Sequence, residues 1–476
     1  MAAESRKPRG GEMANPSPPL RWAMSKLLAR AADPDRIAAR RRKLEARRRR
    51  SGAAHVVEYF HQVDDGYSHL AAQLLSAFVE RYQIRLVCHL VGPPRGPNAP
   101  EPDFLLDLSR YDAARIGPHY GLEFPGGSDS PGGDLVDLAT RILAGVVTDS
   151  GTFVDAAPRV GDALWSGSAE ALQALAERYR PVADAASVLA SGERRRADLG
   201  HYSGAMFHYT KEWYWGVDRL HFLERRLMEL GASRDGGEIL SAPPAIEHGP
   251  HHDDGSMTLE IFPSVRSPYT ALSFDAAVDL ARATGVRLRV RPVLPMVMRG
   301  VPVTRTKGVY IFIDAAREAS SHGLADWGSY YEPVGAPVER CYSLYPWAVA
   351  EGRGVELLSA FMRAAFREGI NTNTDAGLRH VVEAAGLPWA DAQSIVGKDA
   401  WNDHVWRDEI EANRRAMYDI GLWGVPSFRL LDAAGETRLR VWGQDRLWLV
   451  AQEIQRALRL VSARTQHPRG VGQSDG

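Results

Sequence analysis

The chain has 476 residues, 45% hydrophobic and 25% charged, which is globular composition and too long for one ordinary core, so two or three domains are expected. Its two cysteines, Cys88 and Cys341, stand far apart and exclude a disulfide framework, a local CxxC redox pair and a cysteine zinc site. The net charge of -1 is a cancellation: residues 1–50 hold 15 Lys/Arg against 5 Asp/Glu, and the remainder of the chain is net acidic.

In chain order, the basic segment comes first. No apolar run reaches membrane-spanning length and no secretory h-region is present, so the sequence reads as cytoplasmic. From Arg21 to Arg50 the composition favours helix, broken at Pro34, with Asp35 able to cap a second segment, Ile37 to Arg50, that carries RRRK and RRRR. Such a run can attract nucleic acid or an anionic membrane surface. With neither aromatic interleaving nor an apolar stripe among the arginines, residues 1–52 are expected to be a solvated, partly disordered arm; nucleic acid is not the expected partner, though the basic run leaves it open.

The body repeats itself at an offset of 202. Glu58, Phe60, Val63, Tyr67 and Leu70 fall under Glu260, Phe262, Val265, Tyr269 and Leu272, and Asp112 and Arg115 under Asp314 and Arg317. After a region of different length the match resumes, WGVDRL from Trp215 against WGQDRL from Trp442. The sequence therefore reads as a tandem duplication. Each copy opens with a strand (Val56–Phe60; Thr258–Phe262), a helix (Tyr67–Tyr82; Tyr269–Thr284) and a second β-rich run (Ile84–Val91; Val286–Leu294), an order that implies a parallel pair with a right-handed crossover. The second copy continues through a helix-rich stretch from about Asp326 to Asp419. Two strands joined by an Ala-Gly turn follow in GVPSFRLLDAAGETRLRVWG, then a last helix from Asp445 to Val461. This is an α/β, thioredoxin-like order with a helical insertion. The expected division is an arm at 1–52, a first thioredoxin-like domain at 53–232, a linker at 233–256, a second at 257–462, and a disordered tail at 463–476. The linker cluster Glu247, His248, His251, His252, Asp253 and Asp254 is expected to be solvated, not metal-binding, because Gly249 and Pro250 interrupt any helix that would fix its geometry.

The second copy carries SPY at Ser267–Tyr269, then Lys307, Tyr310, Asp314 and Arg317, then WGVPSF around Pro426, and finally WGQDRL. In these motifs it resembles the 2-hydroxychromene-2-carboxylate isomerase and kappa-class glutathione transferase branch of DsbA-like thioredoxin folds. The resemblance implies glutathione as cofactor and no metal. Ser267, at a strand-to-helix junction where redox relatives place a cysteine pair, would hydrogen-bond the glutathione sulfur and favour its thiolate. Pro426 would be cis, leaving the Val425 backbone free to pair with the extended tripeptide. Gln444 and Asp445 would hold the γ-glutamyl end, and Lys307 would lie near peptide and substrate. As a departure, MRGVPVTRTK (Met298–Lys307) lacks the family's asparagine, so that contact is missing or is replaced by Arg299, Thr304 or Arg305.

In the first copy Asp65 stands for Ser267, Gly66 for Pro268, Leu105 for Lys307 and Ala205 for Pro426, while Asp218 still matches Asp445. A carboxylate at the helix start repels a thiolate, so this copy is expected to have lost thiol chemistry and to pack on the second as an intramolecular pseudo-dimer. The favoured expectation is a glutathione-dependent isomerase, or a transferase, acting on a small aromatic or electrophilic substrate. A non-catalytic thioredoxin-like binding protein is the alternative, and a DsbA-like oxidoreductase lacks its CxxC.

Overall fold

Proline at the first helical position and an aspartate before it start the second of two N-terminal helices, α1 (Pro18–Ala32) and α2 (Pro34–Arg50). The computed structural model describes residues 15–125, 130–324, 326–397 and 404–466. The cap of α2 is Asp33 rather than Asp35: its carboxylate accepts from the Asp35 and Arg36 amides at 2.9 and 3.1 Å. The expected solvated arm is thereby corrected. Arg21 is 2% exposed and donates to the Glu332 and Val334 carbonyls at 2.8 and 2.6 Å, while Ser25 Oγ accepts from Glu332 N at 2.9 Å. A guanidinium that finds buried carbonyl acceptors is a structural side chain. Of the arm, residues 1–14 lie outside the described residues.

Strand β1 (His55–His61) runs into α3 (Gly66–Arg81) and returns as β2 (Ile84–Leu90), parallel to β1. A helical insertion follows: α4 (Pro102–Ile116), α5 (Gly133–Val146), α6 (Ser150–Trp165), α7 (Ala169–Tyr179) and α8 (Ala186–Asp198). The hairpin β3 (Met206–Tyr209) and β4 (Glu212–Trp215) then adds antiparallel to β1, and α9 (Gly216–Glu229) closes the unit. The C-terminal part repeats this order with β5 (Thr258–Phe262), α10 (Pro268–Thr284), β6 (Arg287–Val290) and α11 (Arg305–Ser321). Its insertion is α12 (Ala336–Ala350), α13 (Gly354–Arg363), α14 (Asp375–Ala384), α15 (Trp389–Val396) and α16 (His404–Asp419). It ends with β7 (Ser427–Leu431), β8 (Thr437–Trp442) and α17 (Leu447–Gln466). The expected disordered tail at 463–476 thus begins inside a helix, and residues 467–476 lie outside the described residues.

The two four-stranded sheets have the same order, β2-β1-β3-β4 and β6-β5-β7-β8. Their registers agree at the offset of 202: Val56 pairs with Arg85 and Thr258 with Arg287. Side chains repeat with them. Tyr67 donates to Asp112 at 3.0 Å and Tyr269 to Asp314 at 2.8 Å. On the first strand of each sheet a buried glutamate sits in a cationic nest: Glu58 accepts from Arg195 and pairs with His89, and Glu260 accepts from Arg291 and Arg429. Burial alone would push the Glu260 carboxyl up; Arg291 and Arg429 hold it below the usual carboxylate range.

The compact units differ from the expected contiguous domains. One comprises Asp33–Pro244 with Pro302–Ile311; the other comprises residues through Ala32, Ala245–Val301 and the chain from Phe312 onward. The expected linker is tied down as well. Leu240 and Ser241 donate their amides to buried Glu224, and Gln455 of α17 receives His251 N at 3.0 Å and donates to the His248 and His251 carbonyls at 2.6 and 2.8 Å. Its side chains are largely exposed, but its backbone is fixed. Among the described residues no group of His, Cys, Asp and Glu is arranged to hold a metal ion, and no helix is long and apolar enough to cross a membrane.

Candidate functional site

Ser267 caps α10: its side chain is half-buried and Oγ accepts from Thr270 N at 3.2 Å, with Pro268 as the first helical residue. The same Oγ donates to the Val425 carbonyl at 3.3 Å, and the Val425–Pro426 peptide is cis. Gly443 N donates to the Pro426 carbonyl at 3.0 Å, so the turn that carries Gln444 and Asp445 starts beside this loop. The C-terminal unit therefore gathers Ser267, Val425, Pro426, Gln444 and Asp445 along one line, from the helix start across the proline loop to the entry of α17.

Gln444 is 9% exposed and its Nε2 has no hydrogen-bond partner among the described residues, an orphaned donor at a position where such groups are normally satisfied. Asp445 is more accessible and lies 3.4 Å from Arg446. Arg299, one of the three residues considered in place of the missing asparagine, reaches this loop and donates to the Trp423 carbonyl at 3.1 Å. Thr304 donates to Asn98 at 2.7 Å, and both belong to the other unit. Lys307 also belongs to that other unit, with its ammonium 5.8 Å from the Tyr202 ring centre. Burial lowers the Lys307 amine to about 8.

Several residues were not found from the sequence. Arg266, next to Ser267, donates to the Glu332 carboxylate at 2.7 and 3.0 Å, and Glu332 is fully buried. Burial would raise the Glu332 carboxyl, but Arg266 holds it below its ordinary range. Gly424 is required by close packing, since a Cβ there would come within 2.3 Å of Trp442 Nε1. Nothing local in the sequence signals Glu332. Between α10 and α13 the crevice lined by Ala271, Phe274, Trp327, Met362 and Phe366 holds only about 10 Å3, whereas a neighbouring cleft lined by Asp275, Asp279, Arg282, Glu356 and Arg363 holds about 350 Å3. Both thiols are buried; Cys88 is pushed up to about 12 and Cys341 also rises, which makes neither a ready nucleophile.

The N-terminal unit has the same frame with different chemistry. Asp65 caps α3, accepting from Ser68 N at 2.9 Å and Ser68 Oγ at 2.8 Å, and burial pushes its carboxyl up to about 6 despite those bonds. Met206 pairs with Phe60 as Ser427 pairs with Phe262, which puts Ala205 at the place of Pro426. The Ala205 carbonyl accepts from Gly216 N at 2.7 Å, as Pro426 does from Gly443.

Three comparisons bear on this frame. Residues 258–455 match the family described as DSBA-like thioredoxin domain. No curated protein matches the chain. Among solved structures, 2-hydroxychromene-2-carboxylate isomerase is 16% identical, with 43% of this chain and 98% of that one covered and a TM-score of 0.36. A probable DsbA oxidoreductase from Streptomyces coelicolor is 22% identical over 42% of this chain and 89% of its own, with a TM-score of 0.33. The cytosolic disulfide reductase DsbM from Pseudomonas aeruginosa with GSH is 17% identical over 43% and 99%, with a TM-score of 0.27. With the family match covering strand, insertion, proline loop and final helix, residues 258–455 are a DsbA-like thioredoxin domain.

Proposed function

We propose that the C-terminal unit is a glutathione-dependent isomerase, or a transferase using the same site, that holds the glutathione thiol at Ser267. The observation that carries this reading is the Ser267 hydroxyl itself, placed at the start of α10 and facing the Val425 carbonyl beside Pro426. Its proton is held only by a 3.3 Å bond, so a rotation about Cα–Cβ–Oγ–H redirects it to an incoming sulfur while Oγ keeps the Thr270 amide. The helix dipole adds to the preference for an anion there.

The residues present fit the tripeptide. Gln444 Nε2 offers a buried donor, without a partner among the described residues, to the carboxylate of the γ-glutamyl end, and Asp445, half-exposed, offers an acceptor to its ammonium. The Val425 backbone offers strand-like pairing to the cysteinyl residue. When bound, glutathione supplies a thiolate that adds reversibly to an electrophilic carbon of a conjugated substrate. The protein's share is to lower the thiol pKa, orient the sulfur and release it again. An isomerase regenerates free glutathione; a transferase retains the adduct.

The N-terminal unit is read as a second copy that has lost this role. That reading is supported by the shared register and by the repeated Tyr67–Asp112 and Tyr269–Asp314 pairs. In it, Asp65 would place a second negative charge where a thiolate would sit. Calorimetric titration with millimolar glutathione tests the proposal. The wild type should give a binding isotherm that is weakened in Asp445→Ala and in Gln444→Ala, and an absence of heat from the wild type would remove its basis.

A further inference from the structure

We propose that the outward face of α2 is a docking surface for the phosphate backbone of nucleic acid. The helix is fixed to its unit, not a loose tail. Arg41 forms a two-pronged bond with Glu212 at 2.8 and 2.6 Å, and Glu212 is buried and also bonded to Arg226 at 3.1 Å. Arg48 holds Glu45 at 2.9 and 2.8 Å and donates to the Ala53 carbonyl at 2.7 Å. With about 100° of rotation per residue, the partly covered Ile37, Arg41, Leu44, Glu45 and Arg48 fall within an arc of about 100°. Opposite them, exposed Arg36, Arg40, Arg42, Lys43, Arg47 and Arg50 fall within an arc of about 160° whose one carboxylate is Asp35, in the first turn of the helix.

Charge pairing sharpens this face. Arg36 lies 3.4 Å from Asp33 and Arg40 4.0 Å from Glu212. Arg42, Lys43, Arg47 and Arg50 form no ion pair among the described residues. Four unneutralised cations on a pre-formed helix require little ordering on binding, unlike a disordered basic tail. The rest of the chain is net acidic, so its overall charge offers a polyanion no attraction. Between polyanions, the chemistry favours nucleic acid over a lipid surface. The only apolar residues on the outward arc are Ala39 and Ala46, so there is no Trp, Phe or Leu to anchor in an acyl boundary, whereas a duplex presents about one phosphate charge per 1.7 Å of its axis. No base-reading group accompanies the cations, so binding is to the backbone and indifferent to sequence.

The test uses the full-length protein and a fluorescently labelled duplex of about 20 base pairs of arbitrary sequence. If about four phosphates are neutralised, raising the salt from about 50 to about 200 mM should weaken binding about 100-fold. The variant Arg42→Gln/Lys43→Gln/Arg47→Gln/Arg50→Gln should lose at least about tenfold in affinity at the lower salt, with its helical circular dichroism retained. The salt slope of the wild type is a second reading that needs no variant. Absence of wild-type binding at low salt would overturn the proposal. So would unchanged affinity in the folded variant, or tighter binding to vesicles of phosphatidylcholine and phosphatidylserine at three to one than to the duplex.

Discussion

Replacing Arg21 by alanine should destabilise the C-terminal unit by about 2–4 kcal/mol. The guanidinium is 2% exposed and donates to two carbonyls, those of Glu332 and Val334, at 2.8 and 2.6 Å. Leaving two buried acceptors without donors costs about 1–3 kcal/mol each. Relief of the guanidinium's own desolvation, which lowers its pKa in the folded protein, offsets part of that loss and brings the sum to the stated range. The effect should be local as well as global, because Glu332 N donates to Ser25 Oγ and the Glu332 carboxylate holds Arg266 beside Ser267. Urea unfolding followed by tryptophan fluorescence gives the free energy, and amide hydrogen exchange at Glu332 and Val334 reports the local opening. A loss below about 0.5 kcal/mol, with unchanged exchange at both amides, would refute the placement of α1 and restore the solvated arm.

Asp65→Asn keeps a side-chain cap for Ser68 N but removes a carboxyl raised to about 6. A raised acid pKa gives stability that is present below the unfolded value of about 3.9 and lost as pH rises through 6, so the variant should gain in Tm over wild type between about pH 4 and pH 7 and hold a constant lead above that. A pH-independent difference would contradict the cause assigned to the shift. Tyr67→Phe and Tyr269→Phe each remove a donor from an aspartate that is 1% exposed, Asp112 or Asp314, and should cost about 1–3 kcal/mol apiece in denaturant unfolding. A large cost at one and none at the other would argue against equivalent frames in the two units.

Local pattern carried much of the fold. The apolar strands, the Ser-Pro cap of α10 and the Ala-Gly turn between β7 and β8 are each written in a few neighbouring residues; β5 has the expected bounds and α10 starts one residue earlier than expected. The internal repeat extended that reach, because residues matched at an offset of 202 inherit one register. Ala205 lies nearer to Trp215 than Pro426 does to Trp442, so spacing alone does not align the two; the strand pairing does, Met206 with Trp215 as Ser427 with Trp442. What stayed hidden depends on partners chosen in three dimensions. Arg21 and Glu332 are 311 residues apart, and an arginine in a basic segment looks solvated until its carbonyl acceptors are known. The clamp of Gln455 on His248 and His251 is equally silent, since a glutamine inside a helix carries no sign of what it holds. Lys307 was aligned by motif, yet its stretch of chain packs with the unit that contains Tyr202.

The central claim is that Ser267 stabilises the thiolate of bound glutathione, and the ultraviolet absorbance of that thiolate, titrated against pH, tests it most directly. In the wild type the bound thiol should ionise well below the ordinary cysteine value of about 8.5, and in Ser267→Ala its pKa should rise by about one to two units with glutathione still bound through Gln444 and Asp445. The same titration curve in both proteins would contradict the account.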